Sequence, residues 1–172
     1  MNINLEARVN ELLEKLEAPS LETTADVEQF YCDWMELVWN CKVPSKLFDF
    51  YKPDIHVHRE NGNDRHDIRE VVKEVLALEA AFPDIQIRVG ATVVVGDPEH
   101  GFELFARRYF SGTNLGYSRY GAPTQAALEG EQCMSLDMLK LQQINGRWQV
   151  VSEYLSYSER TFRVTMGGPK EV

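Results

Sequence analysis

A sheet of long strands with helices laid over one of its faces is the architecture this sequence predicts. Three observations carry it. Residues 102–111, 127–144 and 147–157 read as long strands, joined by a Gly/Pro-rich crossover over 112–125 and a two-residue Asn145-Gly146 turn. Residues 85–95 alternate apolar and polar side chains, the period of a strand with one buried face. Upstream, three stretches repeat their apolar residues at helical spacing, each bounded by a proline or a capping residue.

The 172 residues suit one compact domain, since a chain of this size buries roughly 70% of its unfolded surface. With 44% hydrophobic and 26% charged residues, the composition is that of a globular protein rather than a disordered one. The net charge of −9 comes with a single basic doublet, Arg107-Arg108. No basic stripe exists to neutralise phosphates, so nucleic acid is not an expected partner. Cys32, Cys41 and Cys133 are odd in number and lack metal-ligand spacing, which fits reduced thiols in a cytoplasmic protein. The first residues form no apolar leader and no run of 18 apolar residues occurs, so neither a signal peptide nor a membrane span is expected.

Leu5, Val9, Leu12, Leu13 and Leu16 make one apolar stripe on a charged helix over 3–17, ended by Pro19. The stripe either packs on the outside of the domain or meets a partner. Thr23 or Thr24 caps the next helix, whose Val27, Phe30, Tyr31, Trp34 and Val38 share a face. Pro44 opens a short helix with Leu47, Phe48 and Tyr51, which Pro53 is expected to stop. Residues 54–58 alternate as a short strand, Asn61-Gly62 turns, and Ile68, Val71, Val72, Val75, Leu76 and Ala80 give a further amphipathic helix. The chain thus divides into a helical extension over 1–22, a main domain over 23–165 and a loose tail over 166–172.

Turn chemistry also sets the register. A hairpin through 96–101 pairs Val95 with Phe102, Val93 with Leu104, Ala91 with Ala106, Val89 with Arg108 and Ile87 with Phe110. That face is apolar except for Arg108. From the Asn145-Gly146 turn, an unbroken ladder pairs Leu139 with Ser152, Asp137 with Tyr154 and Ser135 with Ser156, all on the inner face; a bulge would flip the residues beyond it. Further from the turn the opposite face carries Met134, Leu136, Leu155 and Tyr157. A sheet apolar on both sides calls for a second subunit or the first helix on its back.

Phe82-Pro83-Asp84-Ile85, then Ser111-Gly112-Thr113-Asn114-Leu115-Gly116, Gly121-Ala122-Pro123-Thr124 and Asn145-Gly146-Arg147-Trp148 are the residues by which the chain resembles the SnoaL-like polyketide cyclase group of the NTF2-like superfamily. The order of helices and strands over 24–160 matches as well. The resemblance implies an α+β cone: three main helices on a curved, mostly antiparallel sheet, here with an extra N-terminal helix. It also implies a homodimer through the back of the sheet, and an acid/base carboxylate in the cone that cyclises polyketides, isomerises ketosteroids or hydrolyses epoxides without a cofactor. Two positions depart from the pattern. Asn114 stands where the group usually has His, and the last strand, Val151-Ser152-Glu153-Tyr154-Leu155-Ser156, lacks the expected Asp.

Asp137 is the first candidate for chemistry, because a carboxylate in an apolar cone is driven toward a pKa useful for proton transfer. Tyr154 opposite it would bond it or polarise a substrate carbonyl, and Arg108 would steady an enolate. The alternative is a structural Asp137–Arg108 salt bridge. His56 and His58 share one face of their strand; facing the cone they would be acid/base groups, otherwise they lie exposed. His-x-His is also half of a metal site, but no further ligands show at a telling spacing, and no metal is expected. Tyr31, Trp34, Phe48, Tyr109 and Tyr120, with Asn114 and Ser156, are candidates to line a pocket for a flat hydrophobic ligand. The expected activity is that of a small cofactor-free lyase, isomerase or cyclase acting on a hydrophobic carbonyl compound. A non-catalytic ligand-binding or dimeric interaction module on the same fold is the alternative.

Overall fold

Capping residues start the helices where the sequence places them. Asn4 accepts the Glu6 N–H at the head of α1 (Leu5–Glu17). At α2 (Thr24–Met35), Thr23 and Asp26 bond each other's backbone N–H groups reciprocally, satisfying two donors that a helix start leaves open. The computed structural model describes residues 4–59, 62–118, 121–128 and 133–157. Leu12 and Leu16 of α1 are buried, and Arg8 holds Glu36 through hydrogen bonds of 2.7 and 2.6 Å. The stripe on α1 is therefore core packing.

After α2 the chain widens into a π turn, Glu36–Asn40. The side-chain amide of Asn40, at the end of this turn, accepts the Ile87 N–H at 2.7 Å and donates to the Ile87 carbonyl at 3.0 Å. That caps the edge of the sheet as a strand would. Helix α3 (Leu47–Phe50) ends three residues before Pro53, because Tyr51 already pairs with Val150. Strand β1 (Tyr51–Arg59) so begins earlier than expected, and Pro53, which has no N–H to give, sits in its irregular stretch. Helix α4 (Ile68–Ala81) starts at its cap Asp67.

Strands β2 (Gln86–Asp97), β3 (Gly101–Thr113), β4 (Ala127–Leu128), β5 (Met134–Ile144) and β6 (Arg147–Tyr157) complete the sheet. The order is β1-β6-β5-β3-β2, with β1 parallel to β6, the other pairs antiparallel, and β4 beside the end of β3. Helices and a six-stranded mixed sheet make an α+β fold. The expected strand over 127–144 is two strands, with 129–132 outside the described residues; so are Tyr120 and the tail over 166–172.

Two bulges correct the expected registers. Between Val89 and Thr92 the β2–β3 ladder shifts. Val89 faces Arg108 and Ile87 faces Phe110 as expected, but Leu104 meets Val94 rather than Val93, and Val93 and Val95 turn outward. Gly90 sits in the shift, where a Cβ would lie 2.7 Å from the Tyr109 ring. The second shift lies in β6: Leu141 faces Val150, whereas Lys140 faces Ser152, so Val151 is the extra residue. Every β6 side chain beyond it changes face.

The loop after β3 is fastened to the end of α4. Leu115 and Gly116 both donate to the Ala81 carbonyl at 3.1 Å. A Cβ on Gly116 would fall 1.7 Å from the Ala80 oxygen, so only glycine permits this approach. Asn114, 1% exposed, accepts from the Thr124 N–H at 2.8 Å and ties the two arms of the crossover together.

Candidate functional site

The inner face of β3, β5 and β6 is apolar near the Asn145-Gly146 turn and becomes charged away from it. Asp137 lies opposite Ala106, and Arg108 opposite Ser135, which makes the aspartate and the arginine diagonal neighbours on adjacent strands. Arg108 Nη1 lies 3.4 Å from Asp137 Oδ2, and its Nε donates to Ser135 Oγ at 3.1 Å. Tyr31, projecting from α2, donates its hydroxyl to the same carboxylate oxygen at 2.7 Å. Glu153 enters from β6, and Tyr51 donates to its Oε2 at 2.9 Å. Arg108, Asp137 and Glu153 are each at most 4% exposed, so their charges are compensated inside the protein or not at all.

That enclosure fixes the protonation pattern. Burial, followed by the charge of Asp137, pushes the Glu153 carboxyl up to about 8, so near neutral pH it carries a proton that can be hydrogen-bonded to Asp137. Asp137 Oδ1 has no hydrogen-bond donor among the described residues. The hydroxyls of Tyr31 and Tyr51 are driven well above the ordinary tyrosine value by burial first and the carboxylates second, so they act as fixed donors. Burial works against the charge of Arg108, but Asp137 foremost more than offsets it and its pKa rises. Burial also pushes the Cys133 thiol up to about 11, which disqualifies it as a nucleophile.

A second pair lies beside this one. Arg59 Nη2 meets Glu74 Oε2 at 2.6 Å, and Tyr157 donates to Glu74 Oε1 at 2.9 Å. The Arg59 Nε and Nη1 atoms are buried and without a hydrogen-bond partner among the described residues. Arg59, Glu74, Arg108, Glu153, Met35 and Trp39 are among the residues lining a cavity of about 50 Å³. A larger concavity of about 670 Å³ lies elsewhere, between the end of α1 and Trp148, and contains none of these charged groups. Volume alone would favour that groove, but the buried ionisable groups line the smaller cavity.

Four of the expected residues, Asp137, Arg108, Tyr31 and Trp34, meet in the cone. The others do not. Tyr154 is 50% exposed on the back of the sheet, and Ser156 is exposed too, because the extra residue Val151 inverts the parity of β6. His56 and His58 also face the back, since the intervening Val57 and the preceding Ile55 are fully buried. His58 stacks on Tyr154 with ring centroids 4.2 Å apart. Phe48 is exposed on α3, Tyr109 stacks with Arg88 on the outer face, and Asn114 braces the crossover loop. Glu153, Arg59, Glu74 and Tyr51 are cone residues outside the expected set, and of these the unbroken ladder accounts for Glu153 alone. The same bulge that removes Tyr154 delivers Glu153, a carboxylate late in the last strand.

No family model matches the sequence, and no curated protein does. Solved structures do match. The fold is similar to AclR, a candidate hydroxylase from Streptomyces galilaeus, at 21% identity over 87% of this chain and 86% of that one, with a TM-score of 0.65. It is similar to IdmH, a candidate polyketide cyclase from Streptomyces antibioticus, at 17% identity over 96% and 99% of the two chains, with a TM-score of 0.58. Nuclear transport factor 2 from Cryptosporidium parvum aligns at 12% identity over 84% and 95%, with a TM-score of 0.53. The chain has the NTF2-like fold shared with SnoaL-like polyketide cyclases. Among the described residues no helix is long and apolar enough to cross a membrane.

Proposed function

We propose that the chain is a cofactor-free acid/base enzyme acting on a carbonyl compound in the cone, a lyase, isomerase or cyclase in reaction type. The observation that carries this reading is the pair of buried carboxyls, Asp137 and Glu153, with Arg108 3.4 Å from Asp137 and the Glu153 carboxyl pushed up by burial and by Asp137. In this scheme Asp137 takes a proton from the carbon next to the substrate carbonyl. Protonated Glu153 delivers one to the developing enolate or to the leaving position. Arg108 and the free N–H groups of Arg59 stabilise the negative oxygen. Tyr31 and Tyr51 hold the two carboxyls in place.

The same reading pairs two copies through the back of the sheet. Val93, Phe105, Met138 and Tyr154 form one cross-strand row there, and all are exposed. The test of activity is incubation with a panel of aromatic and alicyclic carbonyl compounds in heavy water, followed by mass spectrometry for exchanged, isomerised or cyclised product. Asp137→Asn and Glu153→Gln should each lower the rate by about 10²–10⁴. Unchanged turnover in both variants would remove these roles.

A second reading, a binding module without turnover, is favoured by the cavity of about 50 Å³. Pockets for drug-sized ligands run to about 300–1,000 Å³, so a polyketide-sized substrate requires Met35, Trp39 and their neighbours to move aside. Saturable retention of an unchanged ligand, with no product across the panel, would select this reading.

A further inference from the structure

His56 and His58 lie outside the cone, and the geometry around them points to a different chemistry. Strand β1 and the segment that returns after it form a short antiparallel ribbon. Val57 donates to the Arg65 carbonyl at 2.8 Å, and Arg65 donates to the Val57 carbonyl at 2.9 Å. In that register residue 56 stands beside 66, and 58 beside 64. Val57 is buried and Arg65 reaches toward Glu74 at 3.6 Å, so this pair points inward. Their flanking residues point outward together. Those residues are His56, His58, Asp64 and His66, a His-x-His on one arm answered by Asp-x-His on the other.

The side chains converge as the backbone demands. Asp64 Oδ2 lies 2.8 Å from His56 Nε2 and 3.3 Å from His58 Nδ1. The donor atoms of His56, His58 and Asp64 all lie within 4.8 Å of one another. A tetrahedral zinc with bonds of about 2.0–2.1 Å spaces its ligands about 3.3 Å apart, so small rotations bring the three to an ion. The ring of His66 stands 4.5 Å from that of His56, next to the cluster, so a side-chain rotation is what would bring it in as a fourth ligand. The other oxygen of Asp64 accepts the Arg59 N–H at 2.9 Å, the outer-shell support that orients a ligating carboxylate. A surface ion pair needs one histidine; two imidazoles gathered on one carboxylate form a donor set of the kind that binds zinc.

We propose that His56, His58 and Asp64, completed by His66, form a binding site for a divalent transition metal of the zinc class. The site clips the return segment to β1 on the outer face of the sheet, and it stands independently of the chemistry in the cone.

The test is calorimetric titration of the untagged, chelator-stripped full chain with zinc chloride, and with cobalt chloride followed by visible spectroscopy. One zinc per chain is expected, with a cobalt spectrum of a four-coordinate nitrogen/oxygen site. His58→Ala and Asp64→Asn should each weaken binding by at least about tenfold. His100→Ala should not, since His100 pairs with Asp97 in a distant exposed turn. The affected side chains are partly exposed, and circular dichroism checks that the variants fold. Absence of stoichiometric binding to the wild-type chain, an octahedral cobalt spectrum, or equal affinity in the His58 and His100 variants would overturn the assignment.

Discussion

The two faces of the central sheet reverse the usual placement of polarity. The helix-covered face buries Arg108, Asp137 and Glu153, whereas the open face exposes Val93, Val95, Phe105, Met134 and Met138. Burying charge is costly unless it is paired, and exposing a contiguous apolar surface is costly unless something covers it. On this sheet the paired charges lie beneath the helices and the apolar side chains face outward. The strands make this possible, because alternate residues of one β-strand serve both purposes: Phe102 and Phe105 are three residues apart and lie on opposite faces.

The contrast can be broken first from the inside. Phe102→Ala should cost about 3–5 kcal/mol in denaturant unfolding, the cost of emptying a packed aromatic site. Arg108→Met should cost about 3–5 kcal/mol as well, because it strands buried carboxylates without their cation. If Arg108→Met proves neutral, the network is not the charge-compensated unit described above.

Glu153→Gln tests the proton itself. The carboxyl ionises at 4.5 in the unfolded chain and near 8 in the folded one, so between these values the folded state holds a proton that the unfolded state lacks. The stability it supports is complete below 4.5 and is lost as pH rises through 8. Over that window this group alone should lower stability by up to about 1.4 kcal/mol per pH unit, and the glutamine variant should show a flatter profile. The smallest effect is expected outside. Phe105→Ser should change the stability of a monomer by no more than about 0.5 kcal/mol, while shifting light-scattering mass from dimer toward monomer. A wild-type chain that is monomeric at every concentration would remove the association surface from the comparison.

Much of this was legible in the residues. The helical stripes and the two hairpin turns led to the elements of the fold, the Asn145-Gly146 turn to Asp137 and the hairpin through 96–101 to Arg108. Glu153 was hidden because a bulge at Val151 leaves no mark: valine suits a regular strand as well as an irregular one. The bulge in β2 did leave one, in Gly90, a glycine in the middle of an otherwise alternating strand. Arg59 and Glu74 were hidden for another reason. They come from separate elements, and their pairing depends on how α4 packs on β1. The outer histidine cluster was half visible, since His-x-His stood out but its Asp-x-His counterpart becomes meaningful only once Val57 is known to pair with Arg65.

The extra residue in β6 also bears on how such chains diverge. Loss of the single codon for Val151 would remove only the extra residue: the ladder would become regular, with Glu153 still opposite Leu139 on the inside and Tyr154 still outside. Smoothing the bulge without that loss would instead slide the strand end by one residue, carrying Glu153 outward and Tyr154 inward. An alignment that forbids a gap at this place would therefore match residues that never occupy equivalent positions.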